Sequence, residues 1–263
     1  MKHGFSLVEL SIVLVILGLL TGGILAGQSL IRASELRAVS TEIQRYQAAS
    51  NTFRDKYFAV PGDMRNATAF WQRMTGTADC LTNSSAATNA AGSCDGNGDG
   101  QIANGSVVST STEAYQFWRQ LALAGLIEGS YTGLAGPAGI AGQNPIIGTN
   151  VPGSKLGRAG YSLWYLGNTA DSATFFAYPT MNWLHFGGAL GNYMLGDALK
   201  AEEAWNIDTK MDDGRPAYGG MIVMASGNAN GGTDCSTTSV SSTAQYDLTK
   251  TVAACAFMIK LGL

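Results

Sequence analysis

The residues whose spacing suggests chemistry first are Asp95-Gly96-Asn97-Gly98-Asp99-Gly100-Gln101-Ile102. Oxygen-bearing side chains fall at steps of two, Gly100 permits a sharp turn, and Ile102 can plug into a core. This pattern matches the first part of a loop that wraps a hard cation such as Ca2+. The pattern then departs from a full cation loop, because its twelfth position is Ser106 and the closing Glu is missing. Glu113 could supply that carboxylate if the chain folds back. The candidate ligands for Ca2+ are therefore Asp95, Asn97, Asp99, Gln101 and Glu113. The alternative is a polar turn region without an ion.

A second acidic group lies in Ile207-Asp208-Thr209-Lys210-Met211-Asp212-Asp213-Gly214-Arg215-Pro216. Helical spacing puts Asp208 and Asp212 on one face, and Gly214 ends the helix. The expected role of Asp208, Asp212 and Asp213 is structural: they cap backbone amides and pair with Lys210 or Arg215. A cation site is the lesser alternative.

Catalytic constellations are missing from the sequence. His185 is the only histidine beyond His3, and it sits in the aromatic run Trp183-Leu184-His185-Phe186. That context suits a packed strand residue. There is no G-x-S-x-G elbow and no phosphate-cradling glycine loop between a strand and a helix. The four cysteines, Cys80, Cys94, Cys235 and Cys255, contain no C-x-x-C pair, which argues against zinc. Their even number suits two disulfides. Three connectivities are open, and Cys80–Cys94 with Cys235–Cys255 is the most economical. A closed loop of ~15 residues is worth about 3 kcal/mol in the chain-entropy model.

These groups must be positioned by helices and strands that the pattern also outlines. From Leu36 the apolar residues Val39, Ile43, Tyr46, Phe53 and Tyr57 recur at three- and four-residue steps, with Ser50 in the remaining gap. That is an amphipathic helix with one apolar stripe, stopped by Val60-Pro61-Gly62-Asp63. Asp63 is expected to cap a short helix reaching Met74, with Phe70 and Trp71 facing inward. Thr112-Glu113 opens a further helix from Ala114 to Ile127. Strand-like runs cover Tyr161–Leu166, Thr174–Tyr178, Trp183–Phe186, Gly219–Ala225 and Thr251–Leu261, and Leu195 to Met211 has helical spacing. Residues 75–111 and 128–160 read as loop insertions.

The N-terminal segment is a different material. An apolar run of about 22 residues, Phe5 to Ala26, follows a short basic leader ending in Gly4. It has the length of a bilayer-spanning helix. One charge interrupts it, Glu9, and a carboxylate in hydrocarbon costs at least ~2.5 kcal/mol. The run is too long for an ordinary secretory signal and is followed by no clean cleavage site.

Gly4-Phe5-Ser6-Leu7-Val8-Glu9-Leu10 resembles the processing site of type IV prepilins and type II secretion pseudopilins. The resemblance covers about the first 30 residues. It implies cleavage after Gly4 by a prepilin peptidase and N-methylation of Phe5. It further implies that Glu9 meets the Phe5 amine of a neighbouring subunit during assembly. Two charges that are each costly in lipid become tolerable as a pair. The implied partners are other pilin or pseudopilin subunits, the peptidase and the inner membrane. Many pilins carry a C-terminal disulfide loop, and calcium occurs in the soluble domains of some family members. The Asp208–Asp213 string also resembles a segment in the heads of some large pilin-like proteins.

Taken together, the expected fold is α+β: a long N-terminal helix, transmembrane in one half and amphipathic in the other, packed on an antiparallel sheet with loop insertions and disulfides. The expected divisions are a leader at 1–4, a membrane or filament-core half at 5–27, an amphipathic half at 28–60 and an extracytoplasmic head at 61–263. The helix would run roughly 80 Å at 1.5 Å per residue. Gly22, Gly23 and Gly27 would either loosen it or allow close packing against another helix. The expected function is that of a non-enzymatic filament subunit, membrane-inserted by a single pass before assembly and periplasmic or on the cell surface after it. The alternative is a minor or tip pilin acting mainly as an adhesin. Charged residues make up 13% of the chain, with 16 Lys and Arg against 19 Asp and Glu. No basic run offers a footprint for nucleic acid.

Overall fold

The computed structural model describes residues 6–74, 92–103, 113–136, 145–191, 193–224 and 235–262. Helix α1 runs unbroken from Leu7 to Tyr57. It crosses Gly22, Gly23 and Gly27 without interruption, so these residues do not loosen it here. Ser6 caps its start: its Oγ accepts from the Val8 amide at 3.3 Å, and Glu9 Oε2 accepts from the Ser6 amide at 2.8 Å. Phe58, at φ 52°, closes the other end by donating its amide to the Arg54 carbonyl.

The buried face of α1 is Val39, Ile43, Tyr46, Ala49, Ser50 and Phe53. Ser50 fits this apolar stripe because its hydroxyl donates to the Tyr46 carbonyl at 2.7 Å, leaving the buried oxygen satisfied. Short α2 (Ala67–Trp71) and α3 (Glu113–Leu123) follow. The head then forms β1 (Gly160–Asn168), β2 (Tyr178–Leu190), β3 (Tyr193–Gly196), α4 (Ala201–Met211), β4 (Met221–Val223) and β5 (Phe257–Lys260). All pairings are antiparallel, in the order β1-β2-β5-β4, with β3 added to β2. The α+β architecture expected from the sequence is therefore present.

Tyr46 is the junction between helix, helix and sheet. Its ring meets Trp118 of α3 and Tyr161 of β1 edge-on, each at 5.0 Å between centroids. Behind it, Tyr161, Phe186 and Phe257 continue an aromatic core across three adjacent strands. Polar ties fix the same half of α1. Glu42 accepts from the hydroxyls of Ser154 and Tyr161, both at 2.7 Å, and from the Lys155 amide at 3.1 Å. Gln47 donates to the Lys260 carbonyl at 2.9 Å, and Arg32 grips Glu203 of α4 with two bonds of 2.6 Å.

Several sequence expectations need correction. The central strand is far longer than Trp183–Phe186, because Gly187 and Gly188 continue it although they lack the branched side chains that mark a strand. The run Thr174–Tyr178 is mostly irregular and joins β2 only at Tyr178. Leu195 belongs to β3, and α4 begins only at Ala201. The expected strand over Thr251–Leu261 is confined to Phe257–Lys260. Helix α3 stops at Leu123, followed by Gly125 at φ 72°. Phe70 is exposed, and only Trp71 packs on the core.

Candidate functional site

Three regions hold the residues singled out by the sequence: the start of α1, the loop 95–103, and the end of α4. At the start of α1, every Leu, Ile and Val from Leu7 to Leu25 is at least 50% exposed. This stretch is long and apolar enough to cross a membrane, and none of it is buried within the chain. A contiguous apolar surface of this size on one chain calls for an apolar environment or a partner. Glu9 lies on this surface, held by its own capping bond to Ser6. The capping role was legible as the Ser6-Leu7-Val8-Glu9 spacing but does not figure among the expectations above. Gly4 and Phe5, the expected cleavage and methylation residues, lie outside the described residues.

In the loop 95–103 several oxygens have hydrogen-bond partners of their own. Asp95 turns away to α2, accepting from the Thr68 amide at 2.8 Å and the Thr68 hydroxyl at 2.9 Å, with Arg73 at 3.8 Å. Asn97 and Asp99 make successive turns of their own, accepting from the amides of Asp99 and Gln101. The organiser is Asp63, which the sequence suggested as a helix cap. It is buried and accepts from the amides of Gly98 and Gly100, the latter at 2.7 Å. A side chain at Gly96 could not fit, since its Cβ would lie 2.5 Å from the Asp63 backbone. No nearby sequence pattern links Asp63 to a loop more than thirty residues away.

Glu113 does fold back on this loop. Fully buried, it accepts from the amides of Asn97 at 3.3 Å and Ala103 at 2.9 Å. Burial raises its pKa from 4.5 to about 7, against the pull of those two amides. Asp63 is also raised by burial, opposed by the Gly100 and Gly98 amides. Ile102 is buried as expected, its amide bonded to Asn182 of β2 at 2.9 Å, while Asn182 donates to the Gly100 carbonyl. Asp63 and Glu113 thus carry the loop by receiving its amides.

At the end of α4 the acids are brought together. One oxygen from each of Asp208, Asp212 and Asp213 lies within 4.8 Å of the others. Asp208 is fully buried, and its Oδ2 accepts from the Tyr246 hydroxyl at 2.7 Å. Burial is the main reason its pKa rises from 3.8 to about 7; the Tyr246 hydroxyl and the Gly214 amide oppose the rise, and the two neighbouring aspartates add to it. Asp212 caps the amides of Gly220 and Met221, and Asp213 accepts from the Arg215 amide. Amide capping is thus present as expected, but the ion pairs with Lys210 or Arg215 are not among those of the described residues. Arg215 instead lies over the Tyr218 ring at 4.4 Å.

Cys235 and Cys255 are bonded, as the spacing suggested, and the bridge ties the 235–246 loop to the segment entering β5. Cys94 is buried and disulfide-bonded, while Cys80, its expected partner, lies outside the described residues. His185 is fully buried in β2, 3.3 Å from Ser162 Oγ through Nδ1, and its Nε2 has no partner. Burial lowers its pKa to about 3, so it is neutral. A neutral imidazole sealed from solvent, with no acid on its far nitrogen, is a core residue rather than a general base.

Among known families, residues 1–25 match the model described as the prokaryotic N-terminal methylation motif. This is the prepilin-type signature of type IV pilins and pseudopilins, a family of structural proteins that in general are processed by prepilin peptidase and assemble with one another. No curated protein and no solved structure matches the chain.

Proposed function

We propose that this chain is a non-enzymatic subunit of a type IV pilus-like or type II secretion pseudopilus filament. The observation that carries the reading is the split character of α1. Its first half exposes apolar residues on every side behind a methylation motif, and its second half is built into the head. In this reading residues 1–4 are a leader, 5–27 cross the inner membrane and later line the filament core, 28–60 carry the head, and 61–263 form the extracytoplasmic head. Cleavage after Gly4 exposes the Phe5 amine. Glu9 then exchanges its capping bond to the Ser6 amide for, or shares it with, the amine of an adjoining subunit. Gly18, Gly22, Gly23 and Gly27 have no atom of this chain where a Cβ would sit, which leaves room for a neighbouring helix to approach closely.

The test is Glu9→Val in the full chain, followed for membrane insertion, loss of the leader and recovery in sheared filaments. Insertion should persist while incorporation is lost. Normal incorporation of this variant would remove Glu9 from the assembly step.

A further inference from the structure

We propose that the groove beside α1 between Ser34 and Arg45 binds the headgroup of an anionic phospholipid, with Arg37 and Lys155 on its phosphate. The groove has a volume of about 870 Å3. One side of it is α1 itself, and the other comes from the 128–131 and 152–155 segments of the head. This inference rests on the membrane-spanning reading of residues 5–27 given above.

The charged side chains that line the groove leave a positive remainder: Arg37, Arg45 and Lys155 against Glu42 and Glu128. Glu42 is committed to the head, its carboxylate accepting from the Ser154 and Tyr161 hydroxyls and the Lys155 amide. Arg45 lies 3.8 Å from Glu128 and also stands over the Tyr46 ring. Arg37 and Lys155 are exposed and have no ion pair among those of the described residues. A guanidinium and an ammonium, contributed by two different elements, suit the oxygens of a phosphodiester. Arg32, the cation nearer the span, is already held by Glu203 and Glu35.

The position of the groove selects a lipid over a soluble anion. Steps of three and four residues lead from Arg45 through Thr41, Ala38 and Ser34 to Ile31, Leu30 and Gly27, so one face of α1 runs from the groove into the apolar span. Leu30 and Ile31 are 71% and 62% exposed. No atom lies within 4 Å of a Cβ built at Gly27, which leaves room for an acyl chain on that face. Arg37 stands about 9 Å beyond Ile31 at 1.5 Å per residue. Helical side chains lean towards the N-terminus, so its guanidinium is carried back towards the bilayer. The headgroup layer is about 5–7 Å deep on each side of the hydrocarbon, within that reach. Acyl chains against Leu30 and Ile31, with the phosphate at Arg37, follow the change of this face from apolar to basic, the pattern of a pocket for an anionic headgroup.

The experiment uses the full chain, first floated with phosphatidylcholine vesicles to establish insertion. In mild detergent it is then titrated with phosphatidylglycerol, phosphatidylcholine and soluble glycerol 3-phosphate, and bound lipid is counted by native mass spectrometry. We expect one phosphatidylglycerol per chain, held at least fivefold more tightly than phosphatidylcholine. Arg37→Gln combined with Lys155→Gln alters two exposed residues and should weaken that binding at least fivefold with Tm unchanged. Lys56→Gln, far along the same helix, should leave it as it was. Equal retention of the two lipids overturns the proposal, as does undiminished phosphatidylglycerol binding by the double variant. Displacement of the lipid by an equal concentration of glycerol 3-phosphate would overturn it in favour of a soluble anion. A chain that floats yet shows no preference for phosphatidylglycerol loses this site alone, whereas one that fails to float loses the membrane-spanning reading with it.

Discussion

Between Leu7 and Leu25 the apolar side chains of α1 point outward on every side. Between Val39 and Phe53, the stripe of Val39, Ile43, Tyr46, Ala49 and Phe53 on the same helix is buried in the core shared with α3 and the sheet. Polar contacts divide in the same way. Among the described residues, the first half has bonds only along its own backbone and cap, while Arg32, Glu42 and Gln47 in the second half reach residues more than a hundred positions away. An unbroken helix can therefore serve two solvents. Its continuity comes from backbone bonding, and its role at each level comes from what the side chains meet.

The contrast can be broken most forcefully at Phe53. Phe53→Ala removes a fully buried ring packed on Tyr57 and Trp71 and should cost the head about 3–5 kcal/mol in denaturant unfolding. Leu14→Ala, on the exposed half, should leave the same transition unmoved. A loss at Leu14 comparable to that at Phe53 would erase the distinction.

Smaller effects sharpen where the division falls. Glu42→Ala leaves the Tyr161 and Ser154 hydroxyls and the Lys155 amide without their shared acceptor, and should cost about 2 kcal/mol. Arg32→Ala strips Glu203 of its two-bond partner at the boundary between the halves. That pair is partly solvated, so the expected loss is only about 1 kcal/mol. If Arg32 instead matched Phe53 in cost, the boundary would lie nearer the start of α1 than the burial pattern places it.

The mildest probe is pH. Glu113 has a folded pKa of about 7, above its unfolded value of 4.5, so the fold binds its proton more tightly. Its contribution to stability is complete below 4.5 and declines as pH rises towards 7 and through it. Glu113→Gln should flatten that slope in EDTA-containing buffer, and Asp208→Asn should flatten the share that Asp208 adds with the same sign. Retention of the full slope by both variants would contradict the raised pKa values of Glu113 and Asp208 in the fold.

Much of this was legible because it is local. The three- and four-residue steps from Val39 to Phe53 identify the buried stripe, Ser50 included, and Ile102 is a plug at the place the loop pattern puts it. Cys235 and Cys255 sit close enough in sequence to invite pairing. What stayed hidden depends on distance. Arg32 meets Glu203 across 171 positions, and Asp63 holds amides of Gly98 and Gly100 that no periodicity connects to it. The length of β2 was masked by Pro179, Gly187 and Gly188, which weaken strand propensity but are tolerated where neighbouring strands supply the pairing. The 95–101 string shows how much of a loop's support lies outside it: Asp95 bonds to Thr68, and buried Asp63 and Glu113 receive the loop's amides.

The division of α1 is tested most directly by removing residues 1–28 and following thermal unfolding of the remaining chain, in the same buffer as the full chain. Among the described residues of that stretch, 6–28, none is buried, and Arg32 with its Glu203 contact is retained. The account predicts one cooperative transition within a few degrees of the full chain's Tm. Loss of cooperativity, or a large drop in Tm, would show that the first half of α1 holds the head together and would contradict the separation.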